Sequence, residues 1–158
     1  MNRSALLSPC GRYRYILSRQ WGPGGLVAFV CLNPSVADGT VDDPTVRRCV
    51  GFAQLWGFGA LMITNLFAYR ATKPSEMLAA KDPIGPDNDK HLLAVAKVAD
   101  LTVAAWGAYG SHMGRDAAVR AVLPRLHCLR LTKGGHPGHP LYLPYSAAPM
   151  AWPAKQPG

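Results

Sequence analysis

At 158 residues the chain is long enough for one domain with a real core and too short for two comfortable ones. Apolar residues make up 49% of it and charged residues 16%, which argues against a disordered chain. Lys and Arg number 17 against 9 Asp and Glu, and the formal charge of +8 suits contact with a polyanion, although it also serves plain solubility.

The opening stretch, MNRSALLSPCGR, has no apolar run of signal-peptide length, and no segment approaches a membrane span. A reduced, cytoplasmic location is the expectation. Cys10, Cys31, Cys49 and Cys128 are too widely spaced for a zinc finger or an iron–sulfur cluster, so neither metal nor cofactor is expected. Cys31 and Cys49 read as small core residues.

Tyr13 to Leu17 reads as a short strand leading into a Gly/Pro turn at Trp21 to Gly25. Leu26 to Leu32 (LVAFVCL) is a continuous apolar run typical of a strand buried on both faces. It ends in Asn33-Pro34-Ser35 and a polar loop, after which Asp43-Pro44 opens a helix that Gly57 stops. Leu61 to Phe67 predicts a second buried strand, followed by a short helix from Pro74 and a longer one from about Asp87 to Ala99. Leu101 to Trp106 predicts a third, Met113 to Leu123 a helix, and His127 to Leu131 a fourth strand. A Gly/Pro loop from Lys133 to Pro140 follows.

Strands alternating with helices predict a single α/β domain over 1–158, with its core at about 12–145 and a Pro-rich tail over 147–158. The expected architecture is a three-layer α/β/α arrangement around a central, mainly parallel four-stranded sheet. Such sheets bind ligands beyond the carboxyl ends of their strands. Asn33, Asn65, Arg70, Gly107, Tyr109, His136 and His139 all fall in or near those loops. That convergence marks an active edge before any family is named.

Asn-Pro at 33–34 is an ordinary turn starter, but an Asn there also holds a water by its carbonyl. Asn65 interrupts an apolar strand. It either ties loops together or offers adjacent donor and acceptor groups to a pyrimidine edge. His136 and His139 lack partners for a metal shell, and a loop His fixed by a following Pro suits hydrogen bonding to a leaving group. Arg47, Arg48, Arg70 and Lys133 lie near the active edge, where they suit phosphates or simply solvent.

In this order the pieces resemble the uracil-DNA glycosylase superfamily. VCLNPS is similar to its first motif in the form with Asn before Pro, and ITNLFAYR to the strand whose Asn reads uracil. VAAWGAYG is similar to its Trp-Gly segment, and HPGHPLYL to its closing His-Pro-Ser-Pro-Leu motif with one extra residue. The set LNPS, DPT, NLFAYRAT, AWG and HPLYLP also resembles a family of small bacterial and phage proteins catalogued as a domain of unknown function, over roughly Arg12 to Tyr145.

The resemblance implies a monofunctional, cofactor-free hydrolase that excises uracil or a related base flipped out of DNA, in base-excision repair. Asn33 would position the water or stabilise the sugar cation, with Asp38, Asp42 or Asp43 as a possible base. Asn65 would read the base, with Ser35, Phe67 and Tyr69 around it and Trp106 another aromatic to stack on. His139, or less favourably His136, would hydrogen-bond the departing base, and Leu141 or Tyr142 would enter the DNA stack. DNA is the expected partner and a monomer the expected state. Two alternatives stay open: a non-catalytic DNA- or nucleotide-binding module, and an enzyme acting on free nucleosides or modified phage bases.

Overall fold

The computed structural model describes residues 1–123 and 125–152. Its strands are β1 (Asn2–Leu7), β2 (Arg14–Gln20), β3 (Leu26–Cys31), β4 (Ala60–Asn65), β5 (Leu101–Ala104), β6 (His127–Cys128) and β7 (Met150–Ala151). Its α-helices are α1 (Pro44–Leu55), α2 (Pro74–Ala79), α3 (Asn88–Val98) and α4 (Arg115–Val122), with short 3-10 segments at Ala108–Gly114 and Pro140–Tyr142.

The strands form one mixed seven-stranded sheet in the order β1-β2-β4-β3-β5-β6-β7. β3 lies parallel to β4 on one side and to β5 on the other, and β5 lies parallel to β6. β1 with β2, β2 with β4, and β6 with β7 are antiparallel. Among the described residues, no helix is long and apolar enough to cross a membrane.

The sequence explains why helices cover both faces. β3 is apolar on both sides, so each side must be buried against something. Val27, Phe29 and Cys31 pack with Val46, Cys49, Phe52 and Ala53 of α1. Val30 and Leu32 pack with Met77 of α2, Leu92 of α3 and Val119 of α4. α1 begins where Asp43-Pro44 predicts: an Asp43 carboxylate oxygen accepts from the Val46 N–H at 2.9 Å, and Pro44 occupies the first turn.

The structure departs from the expected elements mainly at the edges. The sheet has seven strands where four were expected. β1 lies outside the expected core, and its exposed, polar face gave no alternating signal to read. β2 runs on to Gln20 because Arg19 is buried inside the sheet, donating to the Asp42 carboxylate at 2.9 Å and to the Asp38 carbonyl at 2.6 Å. The helix expected from Met113 begins at Arg115, since Met113 and Gly114 both take positive φ. β6 is only two residues long. The expected tail contributes β7, and its residues 153–158 lie outside the described residues.

Candidate functional site

The parallel strands deliver their carboxyl ends to one edge, where a cavity of about 520 Å³ opens. Just beyond the end of β3 come Leu32, Asn33 and Ser35, and beyond the end of β5 come Trp106, Gly107 and Tyr109. The start of α1 supplies Asp43 and Thr45, and the loop after β4 supplies Ala71 and Thr72. Thr132, His139, Leu141 and Tyr142 close it from the loops after β6. Gly107 turns the chain at φ +72°, in the left-handed region that favours glycine, and its N–H donates to the Pro137 carbonyl at 2.8 Å.

His139 sits in this wall with its orientation fixed from outside. Its Nδ1 accepts from the Leu141 N–H at 3.2 Å, so a neutral ring carries its proton on Nε2. Burial lowers its pKa from the ordinary histidine value, opposed by the charge of Asp43. The loop is bracketed to α1 by Arg48, whose Nε donates to the Pro140 carbonyl at 3.3 Å and whose Nη2 donates to the Leu143 carbonyl. The Arg48 guanidinium also lies 3.9 Å over the Tyr145 ring.

Asn33 spends its amide hydrogens on the carbonyls of Pro34 and Ala71, at 3.1 and 2.9 Å, so Oδ1 is the end left to meet a ligand. Asp43 is buried, and one of its carboxylate oxygens caps α1.

Beneath the cavity lies a recess of about 30 Å³, walled by Arg14, Asn65 and Cys31 and sharing Asn33, Ser35, Asp43, Thr45 and His139 with the cavity above. Arg14 is 2% and Asn65 1% exposed. One Arg14 amine donates to the Ala37 carbonyl at 2.9 Å, but its Nε has no partner. Neither side-chain polar atom of Asn65 has one either. Burial pushes the Arg14 pKa down to about 10, opposed by Asp43. The backbone here is rigid: Asn88 donates to the carbonyls of Asn65 and Leu66 at 2.9 and 3.0 Å, and Arg115 donates to Leu66 at 2.8 Å.

The structure brings Asn33, Ser35, His139, Leu141 and Tyr142 to the cavity, and Asn65 to the recess rather than to the cavity wall. Leu141 is 40% and Tyr142 83% exposed at the rim. His136 lines a second hollow of about 470 Å³ with Trp152 and Arg120, so it is not the cavity histidine. Asp38 is corrected to a loop-stabilising role: one oxygen accepts from the Thr40 and Val41 N–H groups at 2.8 Å each, and it lines neither cavity nor recess. Those bonds hold its carboxyl below the usual range. Phe67 is fully buried in the core, and Tyr69 packs edge-on against Tyr13 at 6.0 Å, so neither is placed to stack on a ligand. Trp106 is 1% exposed and belongs to the same core, so of the cavity's aromatics just beyond β5 Tyr109, 54% exposed, is the one placed to do so.

Of the expected phosphate contacts, Arg47 and Lys133 are exposed, while Arg70 donates to the Gly11 carbonyl at 3.3 Å. Arg48 is engaged with the closing loop, which corrects its assignment to DNA. Arg14, Thr45, Thr72 and Thr132 were missed. A charge in the middle of Tyr-Arg-Tyr-Ile-Leu was the available signal for Arg14, since a strand buries an Arg only when something holds it. Another hollow, lined by Leu93, Ala96, Val122 and Leu126, is mostly apolar and lacks any comparable group of convergent polar side chains.

Residues 14–141 match the family model described as a protein of unknown function, DUF1643. No curated protein and no solved structure matches the chain.

Proposed function

The chain belongs to the DUF1643 family, and we propose that this member is a cofactor-free DNA glycosylase that hydrolyses the N-glycosidic bond of uracil, or a related damaged base, flipped out of DNA. The observation that carries the reading is the His139 arrangement: a half-buried ring, its Nδ1 held by the Leu141 N–H, opening onto the cavity shared with Asn33 and Asp43. Glycosidic cleavage passes through an oxocarbenium-like sugar and a base that gathers negative charge. A fixed Nε2–H is the donor such a leaving group needs, and a buried carboxylate is the group that accepts a proton from water.

Tyr109 offers a flat surface for a flipped base, and the exposed Leu141 and Tyr142 at the rim are suited to fill the space it leaves in the duplex. The net charge of +8 favours the phosphate backbone. In the same reading, helices on both faces of a sheet with a parallel core form the three-layer fold of the glycosylase superfamily. Base-excision repair is the process it serves.

The deciding experiment incubates the protein with uracil-containing DNA, treats it with alkali and resolves the strands on a gel. Cleavage at the uracil position supports the reading. Binding without cleavage, across uracil and other damaged bases, replaces it with a non-catalytic binding module. Cleavage of free nucleosides alone moves the substrate off DNA.

A further inference from the structure

We propose that the recess beneath the cavity is a water-binding site built by Arg14 and Asn65, and that it supplies the nucleophile of the reaction. This rests on the glycosylase reading for the identity of the reaction, but the water site itself does not.

Three buried polar atoms without partners, Arg14 Nε and both side-chain polar atoms of Asn65, belong to residues that wall one recess of about 30 Å³. Leaving such groups unpaired in the interior is costly, and a polar recess needs only about 10–15 Å³ per water. The recess therefore has room for about two waters and for little else. Arg14 Nε donates to the inner one, while Asn65 both donates and accepts. Asn65 thus acts below the base rather than on it, which explains why it lies in the recess and not in the wall of the cavity.

The residues common to recess and cavity are Asn33, Ser35, Asp43, Thr45 and His139. The outer water meets the Asn33 Oδ1 and the Asp43 carboxylate there. Its oxygen forms the new bond to the sugar C1′ as the C1′–N bond breaks, the electron pair leaving with the base. The water proton passes to Asp43 and then to solvent. The base departs as an anion under the His139 Nε2–H and takes its proton from solvent. Arg14 and Asn65 are positioning residues, since they reach the reacting atoms only through water.

The test uses uracil-containing DNA in buffer with ethanol, with the sugar product identified by mass spectrometry. Ethanol is too large for the recess, so the wild-type protein yields only the hydrolysed abasic site. Asn65→Ala widens the recess and admits ethanol, giving an ethyl glycoside. Arg14→Lys slows base release by about 10²-fold with KM unchanged, the scale of a mispositioned reactant. Ethyl glycoside from the wild type, or its absence from Asn65→Ala with an unchanged rate, overturns the proposal. A high-resolution crystal structure gives a reading independent of activity: density within hydrogen-bond distance of Arg14 Nε and Asn65 supports the water site, and its absence overturns it. If the wild type releases no base while that density is present, the glycosylase reading and the nucleophile assignment fall and the water site stands.

Discussion

The backbone N–H of Leu141 donates to Nδ1 of His139 at 3.2 Å, fixing the neutral ring with its proton on Nε2. Protonation would place a second N–H opposite that donor, so the arrangement works only in the neutral state. Burial already favours that state by lowering the pKa below the ordinary 6.5. Base release should therefore hold as pH falls to 6.5 and decline only below it. His139→Ala should slow release by about 10²–10³-fold, as for the loss of one donor to a developing anion. His136→Ala, in the other hollow, should leave the rate unchanged. A pH–rate profile whose acid limb lies above 6.5 would contradict the assignment.

The same shift has a consequence for stability. Between the depressed folded pKa and 6.5, the unfolded chain holds a proton that the folded chain does not. Stability therefore rises with pH across that window and is lost as pH falls through it. His139→Gln should flatten that part of the curve. Denaturant titrations at a series of pH values read it directly.

Arg48 and Arg47 are neighbours in sequence with separate tasks. Arg48 is tied to Pro140, Leu143 and Tyr145, and Gly51 makes room for that ring: a Cβ there would collide with the Tyr145 hydroxyl. Arg48→Ala should destabilise the fold by about 1–3 kcal/mol and lower kcat, because the loop carrying His139 loosens. It should leave the salt dependence of DNA binding unchanged. Arg47→Ala should do the reverse, reducing the slope of log affinity against log salt by about one unit. Isothermal unfolding and binding titrations at several salt concentrations separate the two.

The main strands were legible because β3 and β4 carry continuous β-forming apolar runs, and the start of α1 because Asp43-Pro44 combines a cap with a fixed φ. β1 and β7 were not, since their residues are mostly exposed and short strands there depend on neighbours that only the fold supplies. Asn33 and His139 were singled out by their place after strands, the preference for His139 over His136 coming from the resemblance, and the structure sets both, with Ser35, in the cavity wall. Arg48 was misread because a sequence shows its charge but not the two carbonyls and the aromatic ring that occupy it. Asp38 failed likewise: its Asx turn, formed with Thr40 and Val41, holds it in a loop that lines neither cavity nor recess. Asp38→Ala should lower the melting temperature while leaving base release unchanged.

Asp43 is the carboxylate to which the chemistry is assigned, and it is also a helix cap, so a single substitution confuses the two roles unless the replacement is chosen to separate them. One oxygen accepts from the Val46 N–H at 2.9 Å. An Asn at this position keeps an acceptor oxygen for that bond and serves as well as Asp in capping. It cannot take a proton from water. Asp43→Asn should therefore fold with a melting temperature close to wild type while base release drops by about 10²–10⁴-fold, the usual contribution of a positioned base. Asp43→Ala loses the cap as well and should cost a further ~1 kcal/mol of stability. Asp43→Ser restores a capping oxygen without a carboxylate, recovering stability but not activity. If Asp43→Asn keeps near-normal turnover, Asp43 is only a cap, and the water must be activated by its electrostatic setting among Asn33, Arg14 and the sugar cation.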